Sequence, residues 1–228
     1  MRVAILDIGT RNTALIVERI PNASIKKLVN RYEELPLKSR IVEGRIHNPK
    51  LESMINEYTK SCSTILLKLF DPNCGSKVGL TNTTRINLHN FLQKYIDILK
   101  TCDYIAIEEQ FYSPQTGTIN KPALLLAESV YSWFIINGME VEYTPSKLKT
   151  AILGCPKESL MVDKSTGLRV LKKWEKAERK KWSVQVAKFI YMERDDSRMI
   201  SYIESRKGDD VSDCLLMSIA FVLKKFVM

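Results

Sequence analysis

Four carboxylates stand where a chain can bring acids to bear on one point. Asp7 closes one short apolar run and Glu108 closes another, while Asp210 and Asp213 lie three residues apart at the start of an apolar segment of helical period. Side chains spaced i and i+3 share one face of a helix. An acid at the carboxyl end of a sheet strand sits where open α/β folds hold their ligands. Three or four clustered carboxylates repel one another unless cations neutralise them, and hard divalent ions with oxygen ligands, Mg²⁺ or Mn²⁺, suit such a set. Two choices stay open: Glu109 adjoins Glu108, and Asp209, at i,i+4 from Asp213, also shares a helix face. Each acid taken alone has a plain structural use. An aspartate in a first helical turn favours the macrodipole, Asp7 can serve a turn, and Glu108-Glu109 can be a solvated strand end. Their conjunction argues for chemistry.

For these acids to meet, the strands ending at Asp7 and Glu108 must be neighbours, and the last helix must lay its first turn against their ends. The patterning predicts a β-hairpin from 3–6 and 13–17, a third strand at 41–46, and helices over 51–70 and 84–100. A fourth strand at 104–109 comes next, then a helix over 121–137 with Pro122 near its start and Gly138 at its end. A strand at 139–143, a turn at Thr144-Pro145-Ser146 into a further helix, a basic helix within 163–194 and an apolar helix over 210–226 complete the chain. Residues 71–82 read as a loop. The order predicts an α/β fold, a mixed sheet with helices on its faces.

Charge supplies the second clue. Lys and Arg number 35 against 26 Asp and Glu, a net charge of +9. From 163 to 188 there are nine basic residues and three acids, a net of +6. Lys172, Lys173, Lys176, Arg179, Lys180 and Lys181 fall in that window, interleaved with Trp174 and Trp182. A basic run is commonly a solvated helix face. Beside a carboxylate cluster it gains a purpose, because a nuclease must draw a polyanion towards its own acids.

The remaining composition excludes other classes. At 228 residues, 45% hydrophobic and 27% charged, the chain is long enough for one domain with a sizeable core. No stretch approaches the ~18 uncharged apolar residues of a membrane-spanning helix, and no apolar leader with a cleavage site opens the chain, so a soluble, intracellular, non-secreted protein is expected. Nine glycines argue against several phosphate-binding loops. Five scattered cysteines without a C-x-x-C pair, and two histidines, His47 and His89, give little support to a zinc site or to thiol catalysis.

LDIGTRN around Asp7, AIEEQF around Glu108 and DDVSD around Asp210 and Asp213 together resemble the RuvC-type Holliday-junction resolvases of the RNase H-like superfamily, closest to the branch found in poxviruses and other large DNA viruses. Two further stretches agree: TPSKLKTAILG, which places a lysine at Lys149, and RKKWSVQVAKFI, which places one at Lys181 with Lys180 as its rival. The resemblance covers roughly 2–20, 100–155 and 175–225. It implies a single RNase H-like nuclease domain over 1–228, a mixed five-stranded sheet flanked by helices on both faces, and a family-specific insertion within 21–99.

The same resemblance implies a metal-dependent endonuclease that resolves four-way DNA junctions by paired symmetric nicks, leaving 5′-phosphate and 3′-hydroxyl ends. It would act as a homodimer, without a nucleotide cofactor or a membrane, at the site of viral DNA replication, cytoplasmic or nuclear. Asp7, Glu108, Asp210 and Asp213 would hold two metal ions per active site, with Lys149 and Lys181 as catalytic cations. Glu108 is preferred to Glu109 because the family glutamate directly follows the aliphatic residue, and Asp210 to Asp209 because only it gives D-x-x-D. Phe111, three residues after Glu108, or Tyr112 would stack on bases, although a packed aromatic beyond a strand is equally natural. Lys172, Lys173, Lys176, Arg179 and Lys180 would contact DNA.

Two other readings compete. An RNase H-like nuclease acting on RNA–DNA hybrids or flaps would carry the same acids. Asp-Ile-Gly-Thr with Asn12 also resembles the first phosphate loop of actin-like ATPases and sugar kinases, but the second glycine-rich loop of those proteins is missing from the sequence.

Overall fold

The structure, a computed structural model, describes residues 1–40, 49–76, 79–110, 112–113, 118–162, 168–204 and 208–228. In chain order its elements are β1 (Arg2–Asp7), β2 (Thr13–Arg19), α1 (Asn22–Glu33), α2 (Pro49–Ser61), β3 (Ser63–Phe70), α3 (Asn82–Gln93), α4 (Ile96–Leu99), β4 (Tyr104–Glu108), β5 (Tyr112–Ser113) and β6 (Thr118–Ile119). The second half holds α5 (Lys121–Ile136), β7 (Glu142–Thr144), α6 (Leu148–Ile152), β8 (Glu158–Val162), β9 (Arg169–Lys173), α7 (Lys176–Glu193), α8 (Ser197–Ile203) and α9 (Gly208–Phe226).

The main sheet has the order β3-β2-β1-β4-β7. β1 pairs antiparallel with β2 and parallel with β4, and β4 pairs parallel with β7. The sheet is therefore mixed and five-stranded, with the Asp7 and Glu108 strands adjacent. In β1, Val3, Ala4, Ile5 and Leu6 are all fully buried, the continuous apolar run of a strand covered on both sides. Alternation along the strand divides them. Val3 and Ile5 face a core built with α1, α2, α7, α8 and α9. Ala4 and Leu6 face a second core built with α3 and α5. The β1–β2 turn requires glycine at position 9, because a Cβ there would collide with the Asn12 carbonyl oxygen.

Several expectations change. The strand expected at 41–46 lies outside the described residues; among the described residues β3 follows β2, and the helix expected over 51–70 stops at Ser61. β2 is buried along its length except at Arg19, and its outer edge would otherwise leave backbone donors and acceptors without partners; β3 supplies them through a ladder from Thr13↔Phe70 to Arg19↔Ser63. Residues 22–33, to which the patterning assigns no element, form α1, whose buried Ile25, Leu28 and Tyr32 keep helical spacing. The helix expected over 84–100 divides at Lys94–Tyr95. The strand expected from 139 starts at Glu142, because the Met139 amide is used to cap α5, donating to the Phe134 carbonyl at 3.0 Å beyond Gly138 at φ +73°. The basic stretch is not one helix. It holds β9, paired antiparallel with β8 just ahead of the stretch, and then α7, which starts on a capping box between Glu175 and Glu178.

Among the described residues no helix is long and apolar enough to cross a membrane. The last helix, α9, buries Val211 and an unbroken run from Cys214 to Leu223. It begins at Gly208, where a Cβ would collide with the Ile203 carbonyl oxygen at the end of α8. Gly208→Ala is therefore expected to push the first turn of α9 out of place at a cost of about 1–3 kcal/mol. A fall in melting temperature by calorimetry checks this; an unchanged melting curve would show that the α8–α9 junction yields freely.

Candidate active site

Asp7 and Glu108 are each one residue beyond the paired Leu6 and Ile107, so parallel register sets them side by side at one end of the sheet. Alternation puts Asp7 on the side of Ile5, and Glu108 on the side of Ala106, the face that α9 covers. The first two turns of α9 carry Asp210 and Asp213 onto the same end. Between the carboxylates lies Lys149 of α6, a lysine only 6% exposed. Its Nζ is 3.3 Å from Glu108 Oε1 and 3.2 Å from Asp213 Oδ2.

The electrostatics come from crowding. Burial, then the carboxylates of Glu108, Asp213 and Asp210, push Asp7 well above the usual carboxylate range, with Lys149 opposing them. Burial also raises Glu108, again offset in part by Lys149. Burial disfavours charge on Lys149 itself, but Glu108, Asp213 and Asp7 outweigh it and hold the ammonium protonated. Behind the cluster Cys214 is buried, its thiol pushed up by burial and by Asp7 and Glu108, and it donates weakly to the Ala14 carbonyl at 3.7 Å. It is an inert packing group.

The acids open into a cleft of about 1090 Å³. Asp7, Glu108 and Asp213 lie in it, and Lys157, Lys173, Trp174, Lys176, Arg179 and Lys180 line it. An acidic floor with basic walls can receive a polyanion at its centre.

The sequence candidates divide on this geometry. Asp7, Glu108, Asp213 and Lys149 come together, and the charge of Asp210 bears on both Asp7 and Glu108. Glu109 lines the cleft as well. Asp209 makes an ion pair with Lys180, whose ammonium that contact holds protonated against burial. Lys180 lines the cleft whereas Lys181 is exposed outside its lining; neighbouring helical residues point about 100° apart, so α7 offers one of the two. Lys173, Lys176 and Arg179 also line the cleft, while Lys172 stands outside it, 3.9 Å from Glu178. Tyr112 opens β5, and Phe111 lies outside the described residues. Lys157 and Trp174 are site residues that sequence reasoning misses; the first stands alone after Cys155-Pro156, and only the hairpin brings it to the cleft.

Among the described residues, no three His, Cys, Asp or Glu side chains stand in metal-ligand geometry. The donor chemistry nevertheless fits a hard divalent cation. The donors are carboxylate oxygens, and Lys149, 3.3 Å from Glu108 and 3.2 Å from Asp213, is the one buried cation among the described residues that faces Asp7, Glu108 and Asp213 together.

No protein-family model matches the chain, and no curated protein does. Solved structures do. Thermus thermophilus RuvC superposes with a TM-score of 0.53 at 11% identity, over 99% of this chain and 96% of that one. A fowlpox virus resolvase in complex with substrate Holliday junction DNA superposes with a TM-score of 0.53 at 14% identity, over 98% of each chain. The chain has an RNase H-like fold of the RuvC type. T. thermophilus RuvC has also been solved with Holliday junction substrate, and that chain superposes with a TM-score of 0.52 at 12% identity, over 99% of this chain and 96% of its own. At such identities the likeness is one of fold, and the RuvC-type sheet order and helix placement account for the meeting of Asp7, Glu108 and the first turn of α9.

Proposed function

We propose that the protein is a structure-specific endonuclease that hydrolyses phosphodiesters at four-way DNA junctions. The observation that carries this reading is the convergence of Asp7, Glu108, Asp213 and Lys149 on a basic-walled cleft in a RuvC-type fold. Two divalent ions, Mg²⁺ or Mn²⁺, held by Asp7, Glu108, Asp210 and Asp213, would supply activation of the attacking water and stabilisation of the leaving 3′-oxygen. Lys149 holds its proton beside the reacting phosphate and offsets charge that develops there. Lys173, Lys176, Arg179 and Lys180 grip the phosphates that flank it. Such contacts position a strand without reading its sequence.

A homodimer presenting two such clefts to a two-fold junction makes symmetric paired nicks, with 5′-phosphate and 3′-hydroxyl ends. The place of action is then intracellular, where replicating viral DNA forms branches.

The test incubates the protein, with Mg²⁺ and then Mn²⁺, on a labelled four-way junction, a linear duplex, a flap and an RNA–DNA hybrid. Paired symmetric nicks that yield ligatable duplexes are expected on the junction alone. Preferential cutting of hybrid or flap would move the function to another RNase H-like nuclease, and no cutting of any substrate would overturn the reading. Four phosphate contacts along the cleft also predict that raising salt from ~50 to ~200 mM weakens junction binding about a hundredfold. Fluorescence anisotropy across a salt series checks that slope.

A further inference from the structure

β8 and β9 form a two-stranded sheet of their own, and every residue of β9 is exposed. Its register pairs Glu158 with Lys173, Leu160 with Leu171 and Met161 with Val170. Partners across a ladder lie on the same face, and residues two apart along a strand share it. Glu158 and Lys173, at the inner end, line the cleft. Leu160 and Leu171 therefore carry that same face outward from the cleft wall, and they are 61% and 68% exposed. Directly opposed side chains in a ladder have Cβ atoms about 5 Å apart, so the two leucines make one apolar patch. The surroundings are basic: Lys157, Arg169, Lys172 and Lys173 against Glu158.

Apolar side chains at the mouth of a basic cleft need a partner that is anionic and yet offers an apolar face. DNA does so where its stacking is broken. In a continuous duplex the flat faces of the bases are covered by their neighbours, whereas at a branch the end pairs of the arms can part and expose them. Apolar wedges between base steps are an established way for a protein to hold DNA unstacked.

We propose that the β8–β9 hairpin is a branch-reading element, in which Leu160 and Leu171 pack against bases unstacked at the crossover while Lys173 and Arg169 hold the adjoining phosphates. The inference rests on the junction-nuclease reading and adds to it the element that separates branched from linear DNA. A second copy of the chain or an anionic membrane surface is disfavoured, because neither explains why the apolar face continues a cleft that ends in carboxylates.

The experiment compares the full chain with Leu160→Thr/Leu171→Thr and, on the opposite face, Met161→Thr/Val170→Thr. Threonine keeps β-propensity at exposed sites, and circular dichroism verifies the fold. Affinity is measured for a four-way junction carrying 2-aminopurine beside the crossover and for linear duplex. The leucine variant is expected to lose about tenfold in junction affinity, to keep its duplex affinity, and to lose the rise in 2-aminopurine fluorescence that reports unstacking. The opposite-face variant is expected to keep all three. Unchanged junction affinity and fluorescence in the leucine variant would overturn the proposal. So would its conversion from dimer to monomer in sedimentation, or loss of binding to vesicles of anionic lipid with junction binding intact. A wild-type chain that binds junction no better than duplex would instead remove the junction reading itself, a failure visible before any variant is made.

Discussion

Asp7→Asn is expected to lower the rate of phosphodiester cleavage by about a thousandfold or more while leaving the chain folded and able to bind junctions. Asparagine keeps the size of the side chain at the end of β1 but presents no anionic oxygen, and the acids of the site act as a set. Stability should move the opposite way. Burial and the neighbouring carboxylates hold Asp7 above its ordinary value of 3.8. The folded chain thus keeps this proton at pH values where the unfolded chain has lost it, and through that window stability falls as pH rises. At neutral pH, above the ordinary carboxylate range, Asp7 therefore works against folding when no divalent ion is bound, so Asp7→Asn should melt at a higher temperature than the parent chain.

Added Mg²⁺ should raise the melting temperature of the parent chain through binding to the folded state, and should do so much less for the variant. Calorimetry with and without Mg²⁺, run beside the junction assay, tests both halves. Full cleavage by Asp7→Asn would remove the carboxylate cluster from the reaction. A variant that melts well below the parent would show that Asp7 is held mainly by structural bonds.

Arg194→Met is expected to have the largest effect on stability, about 3–5 kcal/mol. Arg194 caps the C-terminal end of α7 and its Nη1 lies 2.8 Å from Glu18 Oε2 on β2, with side chains 3% and 2% exposed. Its Nε donates to the Thr59 carbonyl at 2.9 Å, and the Thr64 hydroxyl donates to Glu18. Removing the guanidinium strands a carboxylate in the core, and its desolvation is what destabilises the fold. Replacing both partners, as in Glu18→Gln/Arg194→Met, leaves no unpaired charge and should recover most of the loss. Urea unfolding of the two single variants and the double variant measures the coupling. Additive losses would mean that the two side chains do not act as a pair. The pair also has a bearing on the site, since it anchors to the sheet the helix whose other end carries Lys176, Arg179 and Lys180.

Much of this architecture is legible in the linear chain because it depends on local patterning. Four successive buried apolar residues in β1, the Gly9 turn, the apolar run before Glu108 and the helix after Asp213, apolar to Leu223 except at Ser218, each declare themselves within a few residues. The i,i+3 aspartates need only helical geometry. The segments that escape such reading are those whose state is settled by a distant neighbour. Residues 63–70 contain leucines and an isoleucine that would suit a helix, yet they become a strand because the buried edge of β2 has backbone groups to satisfy. Residues 169–173 extend because 158–162 lie across from them, not because a basic run must form a strand.

By itself, then, the sequence determined which residues could do chemistry: the acids, their places at strand and helix ends, and a surplus of positive charge to draw a polyanion towards them. Residue type and short-range spacing suffice for that, since they act over one strand or one helical turn. The family resemblance offers Lys149 and Lys181 for a place beside the acids, and only the tertiary structure decided which of them stands there. Lys149 enters the cluster because α6 packs on α9, Lys180 lies towards the cleft and Lys181 away from it because of the rotation of α7, and Lys157 and Trp174 reach the wall through a hairpin. These placements depend on how elements far apart in the chain are turned and packed against one another, and residue spacing along a single chain carries no record of that rotation.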